Sequence, residues 1–112
     1  MKVERPWGWY DVINEGTSHK VKCIEVKPGL SLSLQRHMHR SEHWVVVEGT
    51  ALVEVDGAKE FVNVNEGSYV PICAIHRLSN PGCIPLKIIE VQCGSYLEED
   101  DIERFDDDFG RV

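Results

Sequence analysis

Residues 33–44, SLQRHMHRSEHW, decide how this chain can be interpreted. The stretch holds three histidines, two arginines, a glutamine and a glutamate, and the apolar runs VKCIEVKPGLSL and VVVEGTALVEV flank it. Side chains that bind metals and anions are therefore concentrated between two segments that favour strands. This arrangement predicts a polar site built into a β-structure.

Strand-like alternation recurs along most of the chain. Segments such as HKVKCIEV, TALVEVDG and PLKIIEVQCG alternate apolar and polar residues or are rich in β-branched side chains. Asp56-Gly57 predicts a β-hairpin, and turn signals containing Gly, Pro or Asn separate the other segments. Short strands at such spacing predict a sandwich or small barrel, and 112 residues predict one domain, residues 1–112.

Composition restricts the possible function classes. The net charge of -7 argues against a nucleic-acid surface, which needs clustered lysine and arginine. The chain has no apolar run of about 18 residues, and its first residues, MKVERPWGWYDV, lack the apolar segment of a signal peptide. No two of the four cysteines form a C-x-x-C pair, so a thiolate zinc site is not expected. We expect a cytoplasmic protein that binds neither nucleic acid nor membrane.

A strand through the opening stretch would place several polar side chains on one face. Residues i and i+2 of a strand share a face, so Gln35 and His37 point the same way, as does His39 if the strand continues. Glu42 lies across a bend or on the next strand. His76, just after a strand far along the chain, could complete the set.

The spacing of these residues resembles the two motifs of the cupin family. The pattern G-x5-Q-x-H-x4-E-x6-G starts at Gly29, with Gln35 in place of the first motif's histidine. The pattern P-x4-H-x3-N starts at Pro71, with Cys73 where the second motif usually has glycine. Cupins are double-stranded β-helix, or jelly-roll, barrels that hold a divalent metal near the mouth, so the resemblance implies a single-domain all-β cupin. The metal ligands that it implies are Gln35, His37, Glu42 and His76.

Two imidazole nitrogens and two hard oxygen ligands suit one borderline divalent ion. Zinc is the first choice for this cofactor, and manganese, cobalt, nickel or iron would also fit.

The resemblance covers nearly the whole chain, from Arg5 to Arg111. RPWGWYDVI, HRSEHWVVVEGTA, HRLSNPG and IIEVQCGSYLEEDDIERF are similar, in order, to the isomerase domain of type II phosphomannose isomerases. In that family the domain follows a mannose-1-phosphate guanylyltransferase domain, which needs far more chain, so guanylyl transfer is not expected here. The resemblance implies an enzyme, a metal-dependent isomerase that interconverts mannose 6-phosphate and fructose 6-phosphate.

Two other functions stay open. The chain could be a non-catalytic cupin that binds a sugar or sugar phosphate, as a sensor or as the partner of a separate guanylyltransferase. It could also carry another metal-cupin chemistry, such as dioxygenation. Small cupins commonly pair through edge strands, so we expect a homodimer.

Isomerisation needs a base beside the metal and a cation for the phosphate. Glu90 lies mid-strand at the parity of Ile88 and Gln92, so it is a candidate base facing into the cup, with an outward glutamate as the alternative. His39 is the second candidate base, with a surface histidine as the alternative. By resemblance, Arg40 is expected to bind the phosphate, because a guanidinium matches phosphate oxygens bidentately.

The C-terminal tail carries eight of the nineteen acidic residues. A solvated acidic tail is one interpretation. The spacing of Ile102 and Phe105 would instead let a short helix, starting near Glu99, dock on the barrel. We expect the tail to be ordered and to contain this short C-terminal helix.

Overall fold

The structure is a computed structural model that describes residues 1–111. Within them, eleven β-strands form two antiparallel sheets around a shared core, which confirms the all-β class. In chain order the strands are β1 (Lys2–Arg5), β2 (Gly8–Glu15), β3 (His19–Val26), β4 (Leu34–Arg36), β5 (Arg40–Glu48), β6 (Ala51–Val55), β7 (Ala58–Val62), β8 (Gly67–Val70), β9 (His76–Ser79), β10 (Leu86–Gly94) and β11 (Glu103–Asp106). One sheet has the order β1-β2-β3-β10-β5-β8, and the other has the order β11-β4-β9-β6-β7.

The alternating sequence segments form strands with one buried face, as predicted. Every second residue of β3 is buried, and β10, its antiparallel neighbour, shows the same alternation over its first eight residues. The predicted hairpin at Asp56-Gly57 joins β6 to β7. Both residues have positive φ, 49° and 85°, which is the conformation that a two-residue hairpin turn of this type requires.

The interior has an apolar base and a polar end. Along β10 the buried residues change from Leu86 and Ile88 to Glu90 and Gln92. On β3, likewise, the buried residues change from apolar near its end to two lysines near its start. The buried apolar residues of the base include Val26, Val46, Val53, Leu78, Leu86 and Ile88. The interior therefore has one half that is packed with apolar side chains and one half that is lined by polar and charged side chains.

The C-terminal segment, residues 95–111, is ordered but has no helix, so the predicted helix near Glu99 is wrong. Instead β11 pairs with β4 at the edge of the second sheet. Ile102 lines the interior, as expected, but Phe105 is 40% exposed and lies 5.5 Å from the guanidinium of Arg36. Pairing with the open edge of β4 satisfies the backbone of this segment, and that tertiary contact overrides the helical spacing.

Ion pairs with the barrel explain why the acidic segment is not a solvated tail. Glu103 accepts from Arg36 at 2.8 Å, and Asp106 accepts from Arg77 at 3.1 Å. On the other side of the interior, Lys22 donates to Glu99 at 2.7 Å. Three of the eight acidic residues of the segment are thus paired with cations on β3, β4 and β9.

None of the elements within residues 1–111 is a helix long and apolar enough to cross a membrane. The four cysteines are free, and three of them are exposed. The predicted homodimer and the domain bounds stay predictions.

Candidate metal centre

Three of the four predicted ligands come together at the polar end of the interior. β4 ends at Arg36, so His37 lies in the turn that follows it, while Glu42 faces inward from β5 and His76 begins β9. One ligand atom from each of these three side chains lies within 4.8 Å of the others. The residues are 4%, 2% and 3% exposed, so solvent does not separate them.

Both imidazoles are oriented through Nδ1. The Nδ1 of His37 lies 2.6 Å from the carbonyl oxygen of Asp101, and that of His76 lies 2.9 Å from the carbonyl oxygen of Ala74. A carbonyl oxygen can only accept, so each Nδ1 carries the proton and each Nε2 presents a lone pair. These lone pairs lie 3.3 Å and 3.8 Å from the carboxylate oxygens of Glu42.

Both histidines favour the neutral form that binds metals. Burial, reinforced by the charge of Arg40, lowers the pKa of His37 to about 4. Burial also lowers the pKa of His76. Neutral imidazole is the protonation state that coordinates a metal ion.

Gln35 lies beside this cluster and lines the same pocket. It is the register partner of His76 across β4 and β9. Its amide nitrogen donates to the carbonyl and hydroxyl oxygens of Ser33, at 3.3 Å and 3.0 Å, which leaves Oε1 as the atom with metal-binding capacity.

The residues present fit a divalent metal ion. Two imidazole lone pairs and a carboxylate oxygen lie within 4.8 Å of one another, close enough to bind one ion. Nitrogen and oxygen donors of this kind suit a borderline divalent ion. The cluster therefore has the composition and protonation of a metal site, and its geometry leaves the identity of the ion open.

Arg40 packs directly against the ligand set. Its Nε donates to Oε2 of Glu42 at 3.0 Å, and its Nη2 donates to Nε2 of His37 at 3.2 Å. The residue is only 5% exposed, and its Nη1 has no hydrogen-bond partner among the described residues. Gly94 makes this placement possible, because a Cβ there would meet the backbone oxygen of His39 at 2.1 Å.

Glu90 faces the same pocket, so the parity argument for its inward orientation is confirmed. The single N–H of Trp44 is shared between Glu42, at 3.1 Å, and Glu90, at 3.0 Å. Gln92 donates to the other oxygen of Glu90 at 2.7 Å. Burial, with the nearby charge of Glu42, raises the pKa of Glu90 to about 7. The role of base for Glu90 stays a prediction.

His39 does not join the site. The premise that it continues the face of Gln35 and His37 is wrong, because β4 ends at Arg36 and the chain turns before β5. Its side chain is 55% exposed and its Nδ1 lies 3.2 Å from Asp101. Alternation of side chains holds only within a strand, and the turn breaks it.

The role of Asp101, in the C-terminal segment, was missed by the sequence analysis. Asp101 holds His37 through its carbonyl oxygen, and its carboxylate accepts from the backbone N–H groups of Met38 and His39, each at 3.0 Å. Burial works to raise the pKa of Asp101, but these hydrogen bonds hold it below its usual value. Arg104 lines the pocket from β11. Contacts across more than 60 residues leave no signal in local spacing; only the order of the segment was foreseen.

The paired antiparallel sheets and the convergent histidine and glutamate side chains at one end define a cupin. The solved cupin domain of Schizosaccharomyces pombe Cnp3 resembles this fold with a TM-score of 0.73 at 14% identity, over 77% of this chain and 64% of that chain. Such low identity supports the fold alone. The chain belongs to the family described as Mannose-6-phosphate isomerase C-terminal, whose model matches residues 1–107.

Two curated relatives are similar over essentially the whole chain. The alginate biosynthesis protein AlgA of Pseudomonas putida is 59% identical over 112 residues, which are 100% of this chain and 23% of that protein. The mannose-1-phosphate guanylyltransferase of Escherichia coli K12 is 58% identical over 111 residues, 99% of this chain and 23% of that protein. The chain thus spans less than a quarter of the length of these relatives.

These relatives overturn the predicted function. The relatives whose names state an activity, those of Escherichia coli K12 and Salmonella typhimurium LT2, are named as mannose-1-phosphate guanylyltransferases and not as isomerases. The prediction that this chain functions as a mannose-6-phosphate isomerase is therefore wrong. What is shown is membership of a family whose members are enzymes of mannose-phosphate metabolism, and the matched part is their isomerase-like domain.

Proposed function

We propose that this chain is a metal-binding cupin module that binds a phosphorylated mannose and works beside a mannose-1-phosphate guanylyltransferase. The observation that carries the proposal is the convergence of His37, Glu42 and His76 next to Arg40, whose buried Nη1 lacks a partner. A metal and a guanidinium side by side suit a ligand that has both neutral oxygens and an anionic group.

In this proposal one divalent ion, with zinc as the first choice, is held by Gln35, His37, Glu42 and His76. The ion would supply a Lewis acid that polarises an oxygen of the ligand. Arg40 donates from Nη1 to an anionic oxygen, in a charge-assisted hydrogen bond. Glu90 contacts a hydroxyl group of the ligand from β10, the strand beside Glu42.

The partner in this proposal is supported by the relatives. Proteins named for guanylyl transfer contain a segment 57–58% identical to this chain, within a much longer protein. A module that binds a phosphorylated mannose can retain or sense the sugar phosphate that such an enzyme handles. We choose mannose as the sugar because of the names of these relatives, and a phosphate group because cationic side chains line the pocket.

Isothermal titration tests the ligand. The protein is stripped with a chelator, reloaded with zinc or manganese, and titrated with mannose 1-phosphate, mannose 6-phosphate and mannose. We expect a phosphorylated sugar to bind at least roughly tenfold more tightly than mannose, because charged hydrogen bonds contribute about 1.5–3 kcal/mol. Metal removal should weaken binding. Equal affinity for mannose and both phosphates, or no binding to the loaded protein, contradicts the proposal.

A second experiment tests the partner. The E. coli guanylyltransferase is truncated to remove the segment that matches this chain, and this chain is then added back in trans. We expect its guanylyltransferase activity or thermal stability to rise with added chain and to saturate. No change at any concentration would remove the partner from the proposal and leave the binding module.

A further inference from the structure

Three buried side-chain atoms in residues 1–111 have no hydrogen-bond partner: Nη1 of Arg40, Oε1 of Gln92 and Nε of Arg104. All three residues line the one pocket that contains the ligand cluster. Buried polar atoms are nearly always paired, so unpaired ones need a physical reason. Two donors and one acceptor, on residues that line one pocket, match a ligand that has anionic oxygens and hydroxyl groups.

Arg104 differs from the other cations of this pocket. Three of the others are paired with carboxylates: Arg40 with Glu42, Lys22 with Glu99 and Arg111 with Asp107. The fourth, Arg5, donates to the carbonyl oxygen of Glu4 and the hydroxyl of Tyr10. Among the residues that the structure describes, Arg104 has neither an ion pair with a carboxylate nor a hydrogen bond from its guanidinium. A half-buried guanidinium with no counter-charge costs free energy unless an anion neutralises it.

The acidic neighbours of Arg104 on β11 form their ion pairs outside the pocket. Glu103 and Asp106 pair with Arg36 and Arg77, outside the pocket, while Arg104 alternates to the inner side, opposite Gln35 in the register of β4. Backbone pairing with β4 places Arg104 on the inner side, and the exposed ion pairs add little to that pairing. The acidic residues around Arg104 are thus occupied elsewhere and do not neutralise it.

We propose that Arg104 is an anion-binding residue that contacts the phosphate of the ligand from the C-terminal segment, with Oε1 of Gln92 accepting from a sugar hydroxyl. The inference rests on the proposed function for the identity of the sugar phosphate. It adds to Arg40 a second guanidinium, supplied by β11. Phosphate recognition therefore depends on the C-terminal strand β11 as well as on β5.

The test compares Arg104→Gln with Arg36→Gln. Both variants lose one positive charge at neighbouring register positions of β4 and β11, but Arg36 does not line the pocket. Zinc-loaded wild type and variants are titrated with mannose 1-phosphate, mannose 6-phosphate, mannose and inorganic phosphate, and zinc content is measured. We expect Arg104→Gln to weaken phosphorylated-ligand and phosphate binding roughly 10- to 100-fold, with zinc content and mannose binding unchanged. Arg36→Gln should stay within about twofold.

Arg104→Lys keeps the positive charge but lacks the planar guanidinium, so it should recover part of the lost phosphate affinity. This recovery would show that the loss in Arg104→Gln is not caused by misfolding. Phosphate and sugar-phosphate affinities of Arg104→Gln equal to those of Arg36→Gln would overturn the inference. If wild type binds no sugar phosphate, the proposed function fails, while the inorganic phosphate titration still decides the role of Arg104. Loss of zinc together with phosphate binding in Arg104→Gln would also overturn it, because the residue would then be structural.

Discussion

The two ends of the interior share one backbone pattern and differ in chemistry. At the base, Leu86 and Ile88 of β10 are completely buried among other apolar residues. Two and four residues further along the same face, Glu90 and Gln92 are buried just as deeply. The strand continues unchanged, so the difference lies in what each side chain needs from its neighbours.

An apolar side chain is satisfied by contact, whereas a buried polar one needs a specific partner. Burial of apolar area contributes roughly 25 cal/mol per Å², whichever apolar group covers it. A buried amide or hydroxyl group without a hydrogen bond costs on the order of 2–7 kcal/mol, and a buried charged group without a partner costs more. The base can therefore be built from alternation alone, but the polar end needs partners from the distant C-terminal segment. Where the protein supplies no partner, as at Nη1 of Arg40, a ligand can supply it.

The largest expected effect comes from damage to the base. Leu78 is 1% exposed, so Leu78→Ala leaves a cavity and should lower the free energy of unfolding by roughly 2–5 kcal/mol. The folded fraction should still bind one equivalent of zinc. Chemical denaturation, with Phe61→Ala on the surface as control, checks this. A loss in Leu78→Ala no larger than that of the control would contradict a packed base.

A smaller loss of stability, with a loss of metal affinity, is expected at the polar end. Asp101→Ala removes the acceptor for the N–H groups of Met38 and His39, so the turn that carries His37 loses its anchor. We expect stability to fall by about 1–3 kcal/mol and zinc affinity to fall about 10- to 100-fold. Asp100→Ala, at the exposed neighbour, is the matched control. Unchanged zinc affinity in Asp101→Ala would show that the anchor does not matter for the metal.

The smallest effect is expected where the C-terminal segment ends. The Arg111 guanidinium lowers the pKa of Asp107 to about 2, from a usual value near ~3.9. A lowered pKa stabilises the fold above the unfolded-state value, and this contribution is lost as the pH falls through about 2. Asp107→Asn should cost up to about 2 kcal/mol at pH ~6, and roughly half as much at pH ~3. A cost that does not change between these two pH values would argue against the ion pair.

The sequence predicts the base better than the polar end. Alternation identifies the buried faces of β3 and β10, and the Asp56-Gly57 hairpin follows from local turn chemistry. The resemblance to the cupin motifs predicted His37, Glu42 and His76 as ligands of one metal, and the structure brings these three side chains together. Alternation fails for His39, because a strand end cannot be located from period-two spacing alone.

Partners from the C-terminal segment were not predictable in the same way. The spacing of Ile102 and Phe105 suggested a helix, but the segment instead pairs as a strand with the free edge of β4. The hydrogen bond from His37 to the carbonyl oxygen of Asp101 joins residues 64 apart in sequence. Such contacts depend on the assembled fold, so no local pattern encodes them.

We propose the polar end as a metal centre to which His76 belongs and His39 does not. The decisive measurement is the zinc content and zinc affinity of wild type, His76→Ala and His39→Ala after chelation and reloading. Removing one of four ligands should lower the affinity by at least about 100-fold, whereas an exposed histidine should matter less than about twofold. We predict one zinc per chain for wild type and His39→Ala, and none retained through gel filtration for His76→Ala. Equal zinc retention by the two variants would contradict the account.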